Sequence, residues 1–312
     1  MIDKIDQKIL LELLKNSRIS ISLLSKKLKI SRDVANYRIN KMIENQIIRN
    51  FITEIDLEKL GFCSAFFCLN IKPEIEKEFI EYIESLNFTS WSGTLSGFWS
   101  IGMAIYGKNL NEVEKNFQTI FEKYHKYIIN HRFEFYKSNH FFYEKYFGSN
   151  TEIIKTKETK YILDNYDKII LNLLAKNSKI SSVEISKKVP ITAVAIANRI
   201  KNLEKNNYIL KYSIYINVFK LELFQYYFFI KNNNLSDRKK IYQFLTAHKK
   251  VCSYLDYIGD PFIEFGIFVK NPYEIRDIIK ELRQNFPQSE IIDFFMSQED
   301  LISYGLPKCV FD

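Results

Sequence analysis

A chain of 312 residues has room for two or more domains, and its 46% hydrophobic against 26% charged residues suits packed cores rather than disorder. No run approaches the roughly 20 apolar residues of a membrane span. Phe62–Leu69 stops at Asn70, the start Met1-Ile2-Asp3-Lys4 has no secretory pattern, and Cys63, Cys68, Cys252 and Cys309 lack C-x-x-C spacing. The expectation is a soluble cytoplasmic protein with no membrane partner, metal or cofactor. The net charge of +8 alone decides little, because an AT-rich genome would load lysine without any binding function.

The chain repeats itself at an offset of about half its length. Lys15-Asn16-Ser17-Arg18-Ile19-Ser20 matches Lys176-Asn177-Ser178-Lys179-Ile180-Ser181, and residues 3–60 against 164–221 give 21 identities in 58 positions. Gly97 through Asn109 then matches Gly259 through Asn271. A repeat this long is a duplicated two-domain module rather than a solenoid.

In chain order, Asp3 and Asp6 cap a first helix whose stripe is Ile9, Leu10, Leu13 and Leu14. Ser20 caps a second helix with Leu23, Leu24 and Leu28. Ser31 caps a third, with Val34, Ala35, Ile39 and Met42 inward. Ile47, Ile48, Phe51 and Ile55 follow as a wing-like extended stretch. This is a helix-turn-helix with the third helix as the candidate reader. Next come a strand at 62–71, a helix with Ile75, Phe79, Ile83 and Leu86, strands at 91–95 and 99–106, a helix with Val113, Phe117, Ile120 and Phe121, and a strand near 132–136. That order is the ferredoxin-like βαββαβ unit. The second copy runs in parallel, with Asp164 and Asp167, the capping box Ser181-x-x-Glu184, and Thr192 capping its third helix; strands follow at 223–231, 252–258, 262–269 and near 291–295. The reading is α+β: winged helix-turn-helix domains at 1–58 and 163–220, ferredoxin-like effector-type domains at 59–148 and 221–312 with a short tail, and a linker at 149–162.

Asp6-x-x-Ile9-Leu10, followed by Ile30-Ser31, Arg38-Ile39, Met42 and Ile47-Ile48, resembles the leucine-responsive and asparagine-responsive (Lrp/AsnC) transcription regulators. The resemblance implies winged helix-turn-helix domains joined to ferredoxin-like effector domains whose sheets pair face to face. It implies DNA as partner, an amino-acid-like effector at Gly97, Phe98, Trp99, Ser100, Gly259 and Asp260, and here an intramolecular pseudo-dimer, with further self-association open. Three departures stand out. Gln46 and Asn207 replace the family's glycine after the reading helix, which predicts an altered first wing. Ser100 and Phe262 replace its aspartate, which argues against an ordinary amino-acid effector. Both units lie in one chain.

Charge supports a DNA footprint. Residues 1–62 hold 12 Lys/Arg against 8 Asp/Glu, and residues 163–224 hold 10 against 5, so the excess sits in the helix-turn-helix segments. On the first reading helix, which Ser31 caps, Arg32, Asp33, Asn36, Tyr37, Asn40 and Lys41 face outward; Arg, Asn and Lys suit base edges and Tyr suits a phosphate, the alternative being a merely solvated face. The second offers Thr192, Asn198, Lys201 and Asn202 beside the small apolar Ala193, Val194 and Ala197, a weaker reader or a protein contact surface. Arg38 and Arg199 either touch DNA or close ion pairs on the helix flank. Lys26, Lys27, Lys187 and Lys188 sit where second helices would cross the DNA backbone. The aromatic runs at Phe66-Phe67 and 226–229 fit a buried interface better than base stacking.

His125, His131, His140 and His248 show no metal or catalytic spacing, and nine glycines supply no phosphate loop, so no enzyme is expected. Two alternatives remain: a fused siroheme-decarboxylase-like enzyme, whose His- and Arg-rich strand is poorly matched by Ile129-Asn130-His131-Arg132, or an interaction scaffold. The leading expectation is a sequence-specific double-stranded DNA-binding regulator, its paired sheets forming a sandwich-like core that holds two winged helices apart.

Overall fold

A computed structural model describes residues 2–149, 159–234, 236–258, 262–303 and 306–311. In chain order the first copy contains α1 (Lys4–Lys15), α2 (Ile21–Leu28), α3 (Arg32–Glu44), β1 (Ile48–Ile55), β2 (Cys63–Ile71), α4 (Glu76–Ser85), β3 (Thr89–Gly97), β4 (Ile101–Gly107), α5 (Leu110–Tyr124), β5 (Ile128–Phe141) and the short α6 (Tyr143–Tyr146). The second contains α7 (Asn165–Lys176), α8 (Ser182–Ser186), α9 (Ala193–Lys205), β6 (Ile209–Ile216), β7 (Phe224–Asn232), α10 (Asp237–Ala247), β8 (Val251–Tyr257), β9 (Phe262–Val269), α11 (Glu274–Asn285) and β10 (Ser289–Ser303). No helix among the described residues is long and apolar enough to cross a membrane. Two compact units result, and each draws on both copies.

The first unit holds both helix-turn-helix segments and the C-terminal residues from 303 on. Its helices start where local chemistry dictates. Asp3 accepts the Asp6 N–H at 2.9 Å while Asp6 accepts the Asp3 N–H at 3.1 Å, a reciprocal box repeated by Asp164 and Asp167. The buried stripes Ile9, Leu10, Leu13, Leu14 and Ile170, Leu171, Leu174, Ala175 follow helical spacing. The wings do not stand apart, as the sequence suggests. β1 and β6 pair antiparallel, Phe51 opposite Ile214, in one two-stranded sheet. Each copy's first helix lies against the other copy's strand. The Ser17 N–H donates to Tyr212 O at 3.0 Å and the Ser178 N–H to Phe51 O at 2.9 Å. Thr53 Oγ1 donates to Leu174 O, Ser213 Oγ donates to Leu14 O, and the equivalent Ser17 and Ser178 hydroxyls meet at 2.6 Å, both fully buried. The C-terminal turn Lys308–Phe311 packs on α7, so the expected tail of the second effector domain belongs to this unit instead.

The second unit is a closed eight-stranded barrel in the order β10-β3-β4-β2-β5-β8-β9-β7, with α4, α5, α10 and α11 from the two ferredoxin-like halves. The expected sandwich becomes a barrel because the last strands run longer than the sequence pattern indicates. β5 pairs with β2 over Ala65–Ile71 and then crosses to pair with β8 through Tyr136–Phe141. β10 pairs with β7 and neighbours β3 in the same way. Closure leaves the barrel with no open edge strand among the described residues. The interior is an aromatic cluster of Phe66, Trp99, Tyr227, Phe229, Tyr257 and Phe295 with Cys68, Leu95 and Leu255. Each such side chain stabilises the barrel by about 1.5–3 kcal/mol through burial.

Candidate nucleic-acid interface

The first reading surface is α3. Ala35, Ile39 and Met42 face the core, which fixes the opposite face outward. Val34, expected inward, is 40% exposed instead. Ser31 Oγ accepts the Val34 N–H at 3.1 Å, anchoring the helix start. Arg32, Asn36, Tyr37, Asn40 and Lys41 are exposed, and Tyr37 at 64% projects furthest into solvent for a large ring on this helix. Arg32 Nη2 donates to Ser22 Oγ at 2.9 Å, tying its guanidinium to α2, while Lys41 lies 5.8 Å from the Tyr37 ring centre. Lys26 is exposed, and Lys27 is held by Glu12 at 2.7 Å.

Arg38 is placed differently. Its guanidinium donates to Asp3 at 2.7 Å and Asp6 at 2.8 Å, clamping α3 to the start of α1. Arg199 repeats this with Asp164 and Asp167, both at 2.8 Å. Of the two alternatives weighed from the sequence, this geometry is the flank ion pair. Hydrogen bonds donated to these carboxylates, to Asp6 first for Arg38 and to Asp167 first for Arg199, raise both arginines above their ordinary range. Tyr161 adds its hydroxyl to Asp167 at 2.8 Å, and burial together with that bond pushes the phenol up to about 12.

The second surface, α9, buries Ile196, Ile200 and Leu203 and exposes Thr192, Asn198, Lys201 and Asn202. Val194 is 71% exposed, an apolar side chain where α3 carries Asp33. The turn before the helix also differs. Lys29 ends α2 in the left-handed conformation at φ 55°, but its counterpart is Pro190, whose ring forbids positive φ. α8 therefore stops at Ser186, and the Ile191 N–H bonds Val189 O at 2.8 Å across the proline. Lys187 and Lys188 thus lie exposed in the turn, not on a second helix as expected. The first wing is unaltered: Gln46 adopts φ 58° and Asn207 φ 56°, and both strands form.

The expected effector turn is largely used internally. Gly97 sits at φ 126°, and Phe98 is exposed. Trp99 is buried and donates Nε1–H to Asp293 at 2.7 Å. The Ser100 N–H donates to Leu69 O at 3.0 Å, and its hydroxyl accepts the Ile71 N–H at 2.9 Å. Gly259 and Asp260 lie outside the described residues. Two features in the barrel escape the sequence reading. Arg132 lies 3.2 Å from its repeat counterpart Asp293, outside hydrogen-bond geometry, and stacks its guanidinium 4.6 Å from Phe229. Glu264 is fully enclosed and accepts the Tyr257 hydroxyl, and burial raises its carboxyl to about 7. One charged residue inside the otherwise apolar run 262–269 was the available signal.

Comparison with known proteins follows the same lines. Residues 2–49 and 163–209 match a family described as winged helix-turn-helix DNA-binding. The chain is similar to PF0250, an uncharacterized HTH-type transcriptional regulator of Pyrococcus furiosus, with 33% identity over 119 residues, 37% of this chain and 79% of the relative. It is similar to the HTH-type transcriptional regulator LrpA of Bacillus subtilis, with 37% identity over 86 residues, 27% of this chain and 63% of that one. Its fold is shared with the siroheme decarboxylase NirDL, solved with an iron-uroporphyrin III analogue. That likeness has a TM-score of 0.64 and 12% identity over 99% of this chain and 96% of the other.

Proposed function

The chain belongs to the Lrp/AsnC family of transcriptional regulators, duplicated in tandem, and on that footing we propose that it is a single-chain pseudo-dimer reading an asymmetric operator in double-stranded DNA in the cytoplasm. The observation carrying this reading is that two capped, outward-facing reading helices of unlike chemistry are joined in one unit by the β1–β6 sheet. Arg32, Asn36, Asn40 and Lys41 reach base edges, while Ser31, Tyr37, Lys26 and Lys27 engage phosphates at the first half-site. Thr192, Asn198, Lys201, Asn202, Lys187 and Lys188 serve the second half-site, where Val194 and Ala197 touch thymine methyls. Arg38 and Arg199 act as positioning residues that fix each reading helix on its neighbour. The half-sites are unequal and about one helical turn, or a multiple, apart.

Selection from random duplex DNA across a salt series tests this. The expected result is a steep salt slope, roughly −0.9 per phosphate contacted, with an enriched asymmetric motif. Absence of duplex binding at low salt overturns it.

The likeness to NirDL across nearly the whole chain favours a second reading, a tetrapyrrole-processing enzyme. Against it, neighbouring His131 and Arg132 do not converge: His131 is exposed on the α5 side, its ring 4.9 Å from Phe121 and 5.8 Å from Phe117, whereas Arg132 turns to Asp293 and Phe229. Titration with iron-uroporphyrin, read by its absorption band, decides: saturable binding with turnover would establish the enzyme.

A further inference from the structure

The two ferredoxin-like halves differ on the outer face where the second helix crosses the sheet. In the first half that space is filled: Phe117 stacks on Phe133 at 4.4 Å, contacts Phe67 at 5.0 Å, and Phe121 packs on His131. The matching positions in the second half are Ile279, Phe294, Phe228, Arg283 and Ile291. With two phenylalanines on the helix replaced by isoleucine and arginine, the filling is lost and a groove opens between α11 and the strands β7 and β10. Its apolar lining is Phe228, Ile275, Ile279, Ile291 and Phe294, and Phe294 is 55% exposed.

The rim has changed sign as well. Arg276, Lys280 and Arg283 stand at i, i+4 and i+7 along the groove, where the first half has Glu114, Gln118 and Phe121. Of the three acids of α11, Glu274 pairs with Lys250 at 2.6 Å and Glu281 lies 3.7 Å from His248, while Asp277 is exposed and does not line the groove. Among the described residues, Arg276, Lys280 and Arg283 have no ion-pair partner. An apolar trough beside three uncompensated cations matches a small molecule with an apolar body and an acidic head.

We propose that this groove binds an amphipathic anion, a carboxylate or phosphate head on an apolar body, in the second half of the chain only. The head engages the Arg276, Lys280 and Arg283 side chains, and the body lies on Phe228, Ile279 and Phe294. This site is separate from the turn at Gly97, whose residues do not line it.

The test is fluorescence titration of the purified full chain with 8-anilinonaphthalene-1-sulfonate, an apolar anion. The expected result is saturable binding at one site per chain. Ile279→Phe with Arg283→Phe, which installs the first half's fillers, weakens it on the order of tenfold or more while the melting temperature holds or rises. If that variant fails to fold, the surface triple Arg276→Gln, Lys280→Gln, Arg283→Gln serves instead, with the same loss and a flattened salt dependence. Decanoate and decyl phosphate then compete for the probe, and the stronger competitor identifies the head group. No saturable binding, binding unmoved by the substitutions, or competition by neither anion overturns the proposal.

Discussion

The two helix-turn-helix copies agree where they touch each other and differ where they face outward. Ser17 and Ser178 are the same residue at the same place because they meet each other, and the paired main-chain bonds around them are reciprocal. On the reading helices, however, Arg32, Asn36 and Tyr37 stand opposite Ala193, Ala197 and Asn198. Fusing two copies removes the requirement that one sequence serve both sides of a symmetric contact. A position facing a ligand can then diverge freely, whereas a position facing its own counterpart must stay compatible with it. The barrel shows a third outcome: at Arg132 and Asp293 the counterparts have diverged into opposite charges, a pairing no homodimer of one unit could make.

The sharpest way to break this comparison is at that pair. Arg132→Ala leaves the Asp293 carboxylate in the barrel without its cation, and the expected cost is about 3–5 kcal/mol. Asp293→Ala in the same chain should restore much of the loss, because the uncompensated charge is then gone. Denaturant midpoints of the two single variants and the double variant measure this. Single-variant costs below about 1 kcal/mol would mean that the divergence is incidental to barrel pairing.

A second test uses Glu264, whose repeat counterpart is Gly102. Burial raises the folded carboxyl to about 7 from an ordinary 4.5, despite the Tyr257 hydroxyl and the nearby Arg132, which favour the charged form. Between those values the folded chain holds a proton that the unfolded chain releases. Its contribution to stability is therefore full below about pH 4.5 and is lost as pH rises through about 7. The total amounts to roughly 3 kcal/mol. Burial lowers His140 and His248, which act in the opposite direction near pH 6, so the difference between wild type and Glu264→Gln isolates the carboxyl. That variant should gain relative stability from about pH 5 to about 7 and level off above it. A pH-independent difference would refute the buried-acid account.

On DNA, Asn36→Ala should cost about 1–3 kcal/mol on the selected operator and relax preference in one half-site. Asn198→Ala should cost less, since α9 offers fewer hydrogen-bonding groups to reinforce it. Equal loss on every sequence would reduce both helices to phosphate contacts.

Much of this was legible in the sequence because it is local. Caps at Asp3, Ser20, Ser31, Asp164, Ser181 and Thr192 announce helix starts within three residues, and the capping bonds form there. The βαββαβ order follows from hydrophobic periodicity in the same way. What stayed hidden depends on long-range partners. The strands β5 and β10 extend beyond their apolar cores because their second halves find ladder partners in the other copy. β1 and β6 read as separate wings until each is set against the other. Arg38 carries the charge of a DNA contact, and only the fold brings Asp3 and Asp6 within its reach. The helical turn lost around Pro190 is an exception, since a proline aligned with the left-handed Lys29 was visible from the repeat alone.

The smallest expected effect bears on the turn that precedes each wing. Gln46 and Asn207 occupy the same left-handed conformation, φ 58° and 56°, and each leads into a strand of the shared sheet. The backbone demands are equal, but the residues meet them unequally. A β-carbon with a long side chain makes this region unfavourable by about 1 kcal/mol, and Gln46 offsets little of that with a 3.3 Å bond to Ile43 O. Asparagine visits the region far more readily. Gln46→Gly should therefore stabilise the chain by roughly 1 kcal/mol, and Asn207→Gly by a few tenths at most, with part of each gain lost to the flexibility of unfolded glycine. Thermal unfolding of the two variants side by side reads the difference directly. If both substitutions gave the same shift, the strain would lie in the shared turn geometry and not in the residue that fills it.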